Sequence, residues 1–476
     1  MSLVLVALAF GGHGRADAPG DIANQDVLAR RIEAAIANAD LGEQVGVSVV
    51  NLRSGRSIVG HNATTVLNPA SNMKLVTAAV AMLELGPHFK MRTGLYGRQK
   101  GDSVVGGLFM KGFGDPTLTS AEIIAMAQDL VRRGVKKVDE VVVDGSYFDG
   151  NILPPAFEQQ PKEVAPFRAA VGAVSVNASA YRLRVRPGRA VGEPARAAVD
   201  GGFHFDIKNK MTTSAGGAPS VVAVQTPKDD KLVLHLSGSV PIGITGVSYR
   251  RRVESPLHYA GYILVEALRS LRVQVPARVK LGPRPRGAAL LTHRSSPPLG
   301  GLLSALGKSS DNFVAEMVLK VLAAEKVGAP GRSEAGAKHA REVLRKLGIT
   351  SNHLSIVNGS GLFDGNKLAP AHLTKLLKAV YDTPSIYPDY LAHLAVGGVD
   401  GTLRKRLKTL PSPRVVRAKT GTLAGTIALS GYVLGPTPDR VFAFSVLCNG
   451  VHGKHAAARG LADRIATDIA LHLWAK

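Results

Sequence analysis

Ser71 and Lys74 stand three residues apart in NPASNMK (68–74), directly ahead of the apolar run LVTAAVAMLEL (75–85). A serine hydroxyl is a poor nucleophile until a base removes its proton, and side chains three apart on a helix share a face and can touch. A lysine serves as that base when burial or a neighbouring cation lowers its pKa. The front of a helix adds backbone N–H donors and the positive end of the macrodipole, where an oxyanion is stabilised. On its own the tetrapeptide reads more simply as a serine N-cap with an exposed helical lysine.

Two further motifs reverse that reading. Ser309-Ser310-Asp311-Asn312 lies between two helical patterns and supplies a second hydroxyl and an amide. Lys419-Thr420-Gly421-Thr422 follows the strand-like RVVRA, and its glycine lets another backbone come close. Ser71 is the only serine with lysine at the third following position, and Lys-Thr-Gly occurs once. Ser175 and Asn177 also fit Ser-x-Asn, but they run straight into the strand pattern YRLRVRPG, so Ser310 and Asn312 are preferred by position. Ser-x-x-K, Ser-Asp-Asn and Lys-Thr-Gly in that order are the signature of penicillin-binding proteins and class A β-lactamases.

These residues need elements to hold them. GVSVVNL and SIVGHN read as two strands joined by a turn, and the run from Leu75 as a buried helix stopped at Gly86-Pro87. Residues 94–290 change texture to short strands separated by Gly, Pro and Asp turns, with helices only at AEIIAMAQDLVRR and YAGYILVEALRSL. From about residue 298 helical patterns return, before the strands RVVRAKT, TIALSGYVLG and RVFAFSVLCNG and a closing helix from about 454. The simplest topology is one α/β domain made from the segments on either side of a β-rich insertion, with GPRPRG (282–287) near a boundary and loose ends. The single Cys448 excludes an intramolecular disulfide and reads as a buried strand residue.

Around the three motifs the chain resembles the D-alanyl-D-alanine carboxypeptidase/endopeptidase family of class C low-molecular-mass penicillin-binding proteins, the penicillin-binding protein 4 type. The resemblance rests also on LFMKGFGDPTLT (108–119), VDGSYFDG (143–150), APFRAAVGAVSVN (165–177), SPPLGGLLSALGKSSDNFVAE (296–316), VNGSGLFDGNKLAP (357–370), VGGVDGTLRKR (396–406) and VRAKTGTLAGTIALSGYV (416–433). The long gap between Ser71 and Ser310 matches a family that fills it with two extra domains. What the resemblance implies is an α/β penicillin-binding/serine β-lactamase-like transpeptidase domain, an antiparallel sheet flanked by helices, at 19–93 and 289–476. A second domain is expected at 94–177 and 250–288, and a third at 178–249.

By the same resemblance Ser71 is the nucleophile and Lys74 its base, with Ser310 and Asn312 relaying the proton and holding the substrate amide. Lys419 would keep Lys74 partly neutral by like-charge repulsion and attract a terminal carboxylate, helped by Thr420, Gly421 and Thr422. The backbone N–H groups of Ser71 and Thr422 would form the oxyanion hole. The implied partners are peptidoglycan peptides, with β-lactams as covalent inhibitors, and no metal or organic cofactor is implied. Relatives carry a W-x-D-like segment that recognises a diamino-acid side chain. The corresponding stretch here, PPAFEQQPKEVAP (154–166), lacks both residues, and Glu158 is the nearest acidic candidate for substrate binding. GFGDPTL and GGVDGTL are read as turns around Asp115 and Asp400.

The formal charge of +23 draws the protein to anionic surfaces. The basic residues are dispersed and no nucleic-acid-binding motif accompanies them, so specific nucleic-acid binding is not expected. LVLVALAF (3–10) and Ala16-Asp17-Ala18 read as a secretory leader over 1–18 that lacks a leading cation, which implies a periplasmic or extracytoplasmic protein with at most peripheral membrane contact. Two rivals are a β-lactamase, for which no E-x-x-L-N string follows residue 313, and a non-catalytic envelope-binding homologue, which an intact set of motifs disfavours.

Overall fold

The structure, a computed structural model, describes residues 19–161 and 163–475, so the expected leader lies outside the described residues. A six-stranded sheet runs in the order Ala395–Val396, Val416–Leu423, Thr426–Leu434, Val441–Asn449, Val45–Asn51, Ser57–Val59, with every neighbouring pair antiparallel. The segments before and after the insertion meet inside this sheet, where Val45 faces Cys448 and Asn51 faces Phe442.

Every residue of Val441–Asn449 is buried, because helices cover both faces of the sheet. Phe444 and Val446 point with Val47 and Leu429 toward helices Pro19–Ala39 and His455–Trp474. Ala443 and Leu447 point the other way, with Ala428, toward Met73–Leu85, Asn312–Lys326 and Pro370–Tyr381. This is the two-residue period of a strand serving two cores at once. Cys448 joins the first of them, and burial pushes its thiol up to about 12. The segment expected to be loose near the start is instead the helix Pro19–Ala39. Leu28, Ile32 and Ile36, four apart, bury one stripe of it on the sheet.

Met73 through Met82 are all buried, so Met73–Leu85 is a core helix rather than an amphipathic surface one. It stops at Gly86, whose φ of 80° only glycine adopts freely and whose N–H bonds to the Met82 carbonyl.

The insertion builds a second sheet on the hairpin Arg92–Lys100 and Ser103–Gly112, to which Val141–Asp144 and then Val279–Leu281 add in parallel. Ala289–Ser295, placed by the expected boundary in the first domain, pairs with Arg92–Lys100 instead, so the chain crosses back only after Ser295. Residues 180–252 form two smaller sheets, one of three strands and one of four around Lys231–Pro241. Leu95, Leu130 and Val141 share one apolar cluster with Leu183, Leu234 and Tyr259, so both parts of the insertion are built on a common core.

Candidate active site

The turn that carries Ser71 is tied down before its helix begins. Asn68 Oδ1 accepts from the Ala70 N–H at 2.9 Å, Ala70 adopts a φ of 46°, and a single 3₁₀ turn, Ala70–Asn72, carries half-buried Ser71 into Met73–Leu85. Ser71 thus stands at a helix front, as its sequence predicts. Asn72 anchors the turn to the sheet, its Nδ2 donating to Ser430 Oγ at 2.7 Å. Two glycines let other chain segments touch it. A Cβ at Gly361 would lie 1.8 Å from the Ala70 carbonyl oxygen, and one at Gly421 would lie 3.0 Å from Ala70 Cβ. The Lys-Thr-Gly strand therefore packs directly on the Ser71 turn.

Lys74 is fully buried, with Nζ 3.1 Å from Ser71 Oγ, 2.7 Å from Asn312 Oδ1 and 2.7 Å from the Ser360 carbonyl. Burial lowers its pKa to about 7, while the Glu316 and Asp311 carboxylates pull upward. Burial, and then the Lys74 charge, likewise hold Lys419 well below a lysine's usual value. A neutral amine has two N–H bonds and one lone pair. Asn312 Nδ2 donates to the Phe167 carbonyl at 3.0 Å, which turns its oxygen toward Lys74, and a backbone carbonyl can only accept. These two acceptors take both N–H bonds of neutral Lys74, so the lone pair is left for the Ser71 hydroxyl.

The Ser360 carbonyl is itself held in place. Glu316, one helical turn beyond Asn312, accepts from the N–H groups of Ser360 at 2.7 Å and Gly359 at 3.1 Å, and Thr77 Oγ1 donates to the Gly359 carbonyl at 2.7 Å. Glu316 is fully buried and its pKa is raised by that burial.

Ser310 and Lys419 form the opposite wall. Lys419, also fully buried, donates to Ser310 Oγ at 2.8 Å and to the Thr420 carbonyl at 2.7 Å. Ser310 sits at a φ of 58°, a strained conformation of the kind that collects at functional sites. Asp311 caps the next helix by accepting from the Val314 N–H at 3.2 Å, which sets Asn312 at its first turn. Thr420 Oγ1 lies 2.8 Å from Thr402 Oγ1. Ala395–Val396 pairs only with Ala418 and Arg417, so the outer edge of the strand beyond Ala418 is open.

Ser71, Lys74, Ser310, Asn312 and Lys419 are thus linked by hydrogen bonds into two walls, and Gly421 joins the strand to the Ser71 turn. Thr422 is exposed on that same strand. Glu158 is exposed on the turn Phe157–Gln159; the adjacent Gln159 donates to the Asp364 carbonyl, and Asp364 accepts from Asn68 at 2.8 Å. Ser175 and Asn177 bond within the insertion, to Gly172 and Ser120. Asp115 and Asp400 accept from the backbone of Thr117 and Val396, in keeping with turn roles. Sequence reasoning missed Phe167, Glu316 and Ser360. Of these only Glu316 left a trace, as an acid four residues after Asn312 inside an apolar helix.

Comparison with known proteins places this geometry in context. The model of the D-Ala-D-Ala carboxypeptidase 3 (S13) family matches residues 28–468. A D-alanyl-D-alanine carboxypeptidase of Actinomadura sp. (strain R39) is 32% identical, covering 96% of this chain and 86% of its own. Among solved structures, penicillin binding protein 4 from Haemophilus influenzae aligns with a TM-score of 0.77 at 23% identity, over 92% of this chain and 99% of that one. The same protein complexed with a β-lactam aligns with a TM-score of 0.74 at the same identity and coverage.

Proposed function

Because the chain belongs to the D-Ala-D-Ala carboxypeptidase 3 (S13) family, and is therefore a peptidase, we propose that it cleaves peptidoglycan stem peptides and cross-links through an acyl-enzyme on Ser71. The observation that carries this reading is Lys74, a fully buried amine 3.1 Å from a serine hydroxyl, with its pKa lowered to about 7 and fixed acceptors for its N–H bonds.

Lys74 takes the Ser71 proton as Oγ attacks the carbonyl of the D-Ala-D-Ala bond. The resulting oxyanion is met by the N–H groups of Ser71 and Thr422. As the C–N bond breaks, Ser310 Oγ passes a proton to the leaving amine and is resupplied with the one that Lys74 took from Ser71, so that Lys74 is a free base again, while Lys419 donates a hydrogen bond to Ser310 Oγ. Asn312 holds the substrate amide, and Lys419, Thr420 and Thr422 receive the terminal carboxylate. Gly421 keeps the strand clear of side chains where it meets the nucleophile turn. The peptide lies along the open strand edge as an added strand. Water then attacks the acyl carbon, giving its hydrogen back to Ser71 through Lys74 and its hydroxyl to the freed acid. Glu158 contacts the stem-peptide side chain at the rim. A β-lactam acylates Ser71 by the same attack. Since the substrate is extracytoplasmic, so is the enzyme.

Fluorescent penicillin tests the nucleophile: wild type becomes labelled and Ser71→Ala does not, and undiminished label on the variant overturns the assignment. Release of D-Ala from a pentapeptide, set beside cleavage of a cross-linked dimer, separates carboxypeptidase from endopeptidase activity.

A further inference from the structure

Between Gly401 and Arg417 stand six cationic residues, Arg404, Lys405, Arg406, Lys408, Arg414 and Arg417, and no acidic one. Two of them are engaged. Arg406 grips Asp463 with Nε at 3.1 Å and Nη2 at 2.8 Å, and half-buried Arg417 lies near Asp400. Arg404, Lys405, Lys408 and Arg414 are exposed and have no ion pair among the described residues. Four like charges on one short segment repel each other, and an anionic ligand relieves that repulsion.

This segment borders the active site. Thr402, two residues before Arg404, meets Thr420 at 2.8 Å. A Cβ on Gly401 would lie 2.7 Å from the Lys308 carbonyl oxygen, just before the Ser310 loop. The Gly398 N–H bonds to the Arg406 carbonyl at 2.7 Å, folding the basic segment back on itself. The segment that carries the cations therefore adjoins Thr420 and the Ser310 loop. A lipid surface fits this place poorly: the exposed large apolar residue beside the segment is Val399, too little for insertion at a membrane interface.

We propose that Arg404, Lys405, Lys408 and Arg414 bind stem-peptide carboxylates of polymeric peptidoglycan next to the bond being cut, so that the enzyme engages the assembled anionic polymer more strongly than a free peptide. The inference rests on the substrate class proposed above. Exposed charges of this kind act mainly on encounter and on salt dependence.

The test replaces all four residues with glutamine. Binding is read by co-sedimentation with purified sacculi in a Ser71→Ala background, and catalysis by kcat/KM on a soluble pentapeptide with Ser71 intact. The expected result is sacculus binding weakened roughly tenfold, the low end of what focused charge does to association, with the wild type's salt dependence flattened and pentapeptide turnover unchanged. The unchanged turnover also reports a folded variant. Amidating the sacculus carboxylates should weaken wild-type binding to the level of the variant. Unchanged sedimentation overturns the proposal, as does a loss seen only with phosphatidylglycerol vesicles or only with sacculi that retain phosphate polymers. If wild type releases no D-Ala, the proposed function fails, while the sedimentation arm still reads the surface.

Discussion

Lys74 and Lys320 are both buried in the same domain and both donate to a backbone carbonyl, yet their surroundings differ in one respect. Lys320, 1% exposed on helix Asn312–Lys326, also meets Asp149 Oδ1 at 2.6 Å, together with the Asn151 carbonyl at 2.6 Å. It fastens the helix to a loop of the insertion. The hydrogen-bond partners of Lys74 are an amide oxygen, a carbonyl and a hydroxyl, none of them charged. A buried ammonium with a carboxylate in contact is a clamp; without one, its charged form is disfavoured and it becomes a base.

The same substitution at the two sites should therefore act in opposite ways. Lys74→Met is expected to lower kcat for D-Ala release by about a thousandfold, within the range for loss of a general base. Its melting temperature should be unchanged or higher, because a costly buried amine has gone. Lys320→Met should lose about 3 kcal/mol of stability, since it strands a largely buried Asp149, as read by urea denaturation. Its kcat/KM under folding conditions should stay near wild type, and adding Asp149→Leu should restore much of the stability. A stability loss at Lys74→Met matching that at Lys320→Met would dissolve the distinction.

pH sharpens the contrast further. A base must be unprotonated, so kcat/KM should rise with pH through about 7 as Lys74 loses its proton. The Glu316 carboxylate raises the Lys74 pKa, so Glu316→Gln should move that limb to lower pH. The linked effect on stability has a definite sign. The folded pKa of about 7 lies below the 10.5 of an unperturbed lysine, so between them the unfolded chain holds the extra proton and stability rises with pH. Lys74→Met should flatten that rise. The smallest effect is expected at Glu158→Gln, a change of about threefold in KM for the stem peptide with kcat unaltered, as befits a solvent-exposed charge.

The side chains that meet at the candidate site were legible because their types and order are restrictive. Ser71 with Lys74, Ser310 with Asn312, and Lys419 each have a recognisable neighbour in sequence. The carbonyls of Ser360 and Phe167 were not legible, since any residue type supplies a carbonyl and both come from loops far along the chain from Lys74 and Asn312. The extent of Lys74's burial was not legible for a related reason: burial depends on packing from elements that the motif does not contain. In the fold, helix Pro19–Ala39 was missed because its stripe of large apolar residues is narrow, Leu28, Ile32 and Ile36 among alanines and charged residues. The strand Ala289–Ser295 was misplaced because its pattern says that it pairs, not with which partner.

The pairing of Val45–Asn51 with Val441–Asn449 also governs when the site comes into being. A nascent chain has the helix after Ser71 early, but the strand that must lie beside Val45–Asn51 is made only after the whole insertion. Closing so long a loop is slow, and contacts of this separation delay folding. The insertion, whose apolar cluster lies between residues 95 and 291, can assemble meanwhile. Ser71 and Lys419 then meet only when the strands after the insertion arrive, so a half-made chain does not hold the two together.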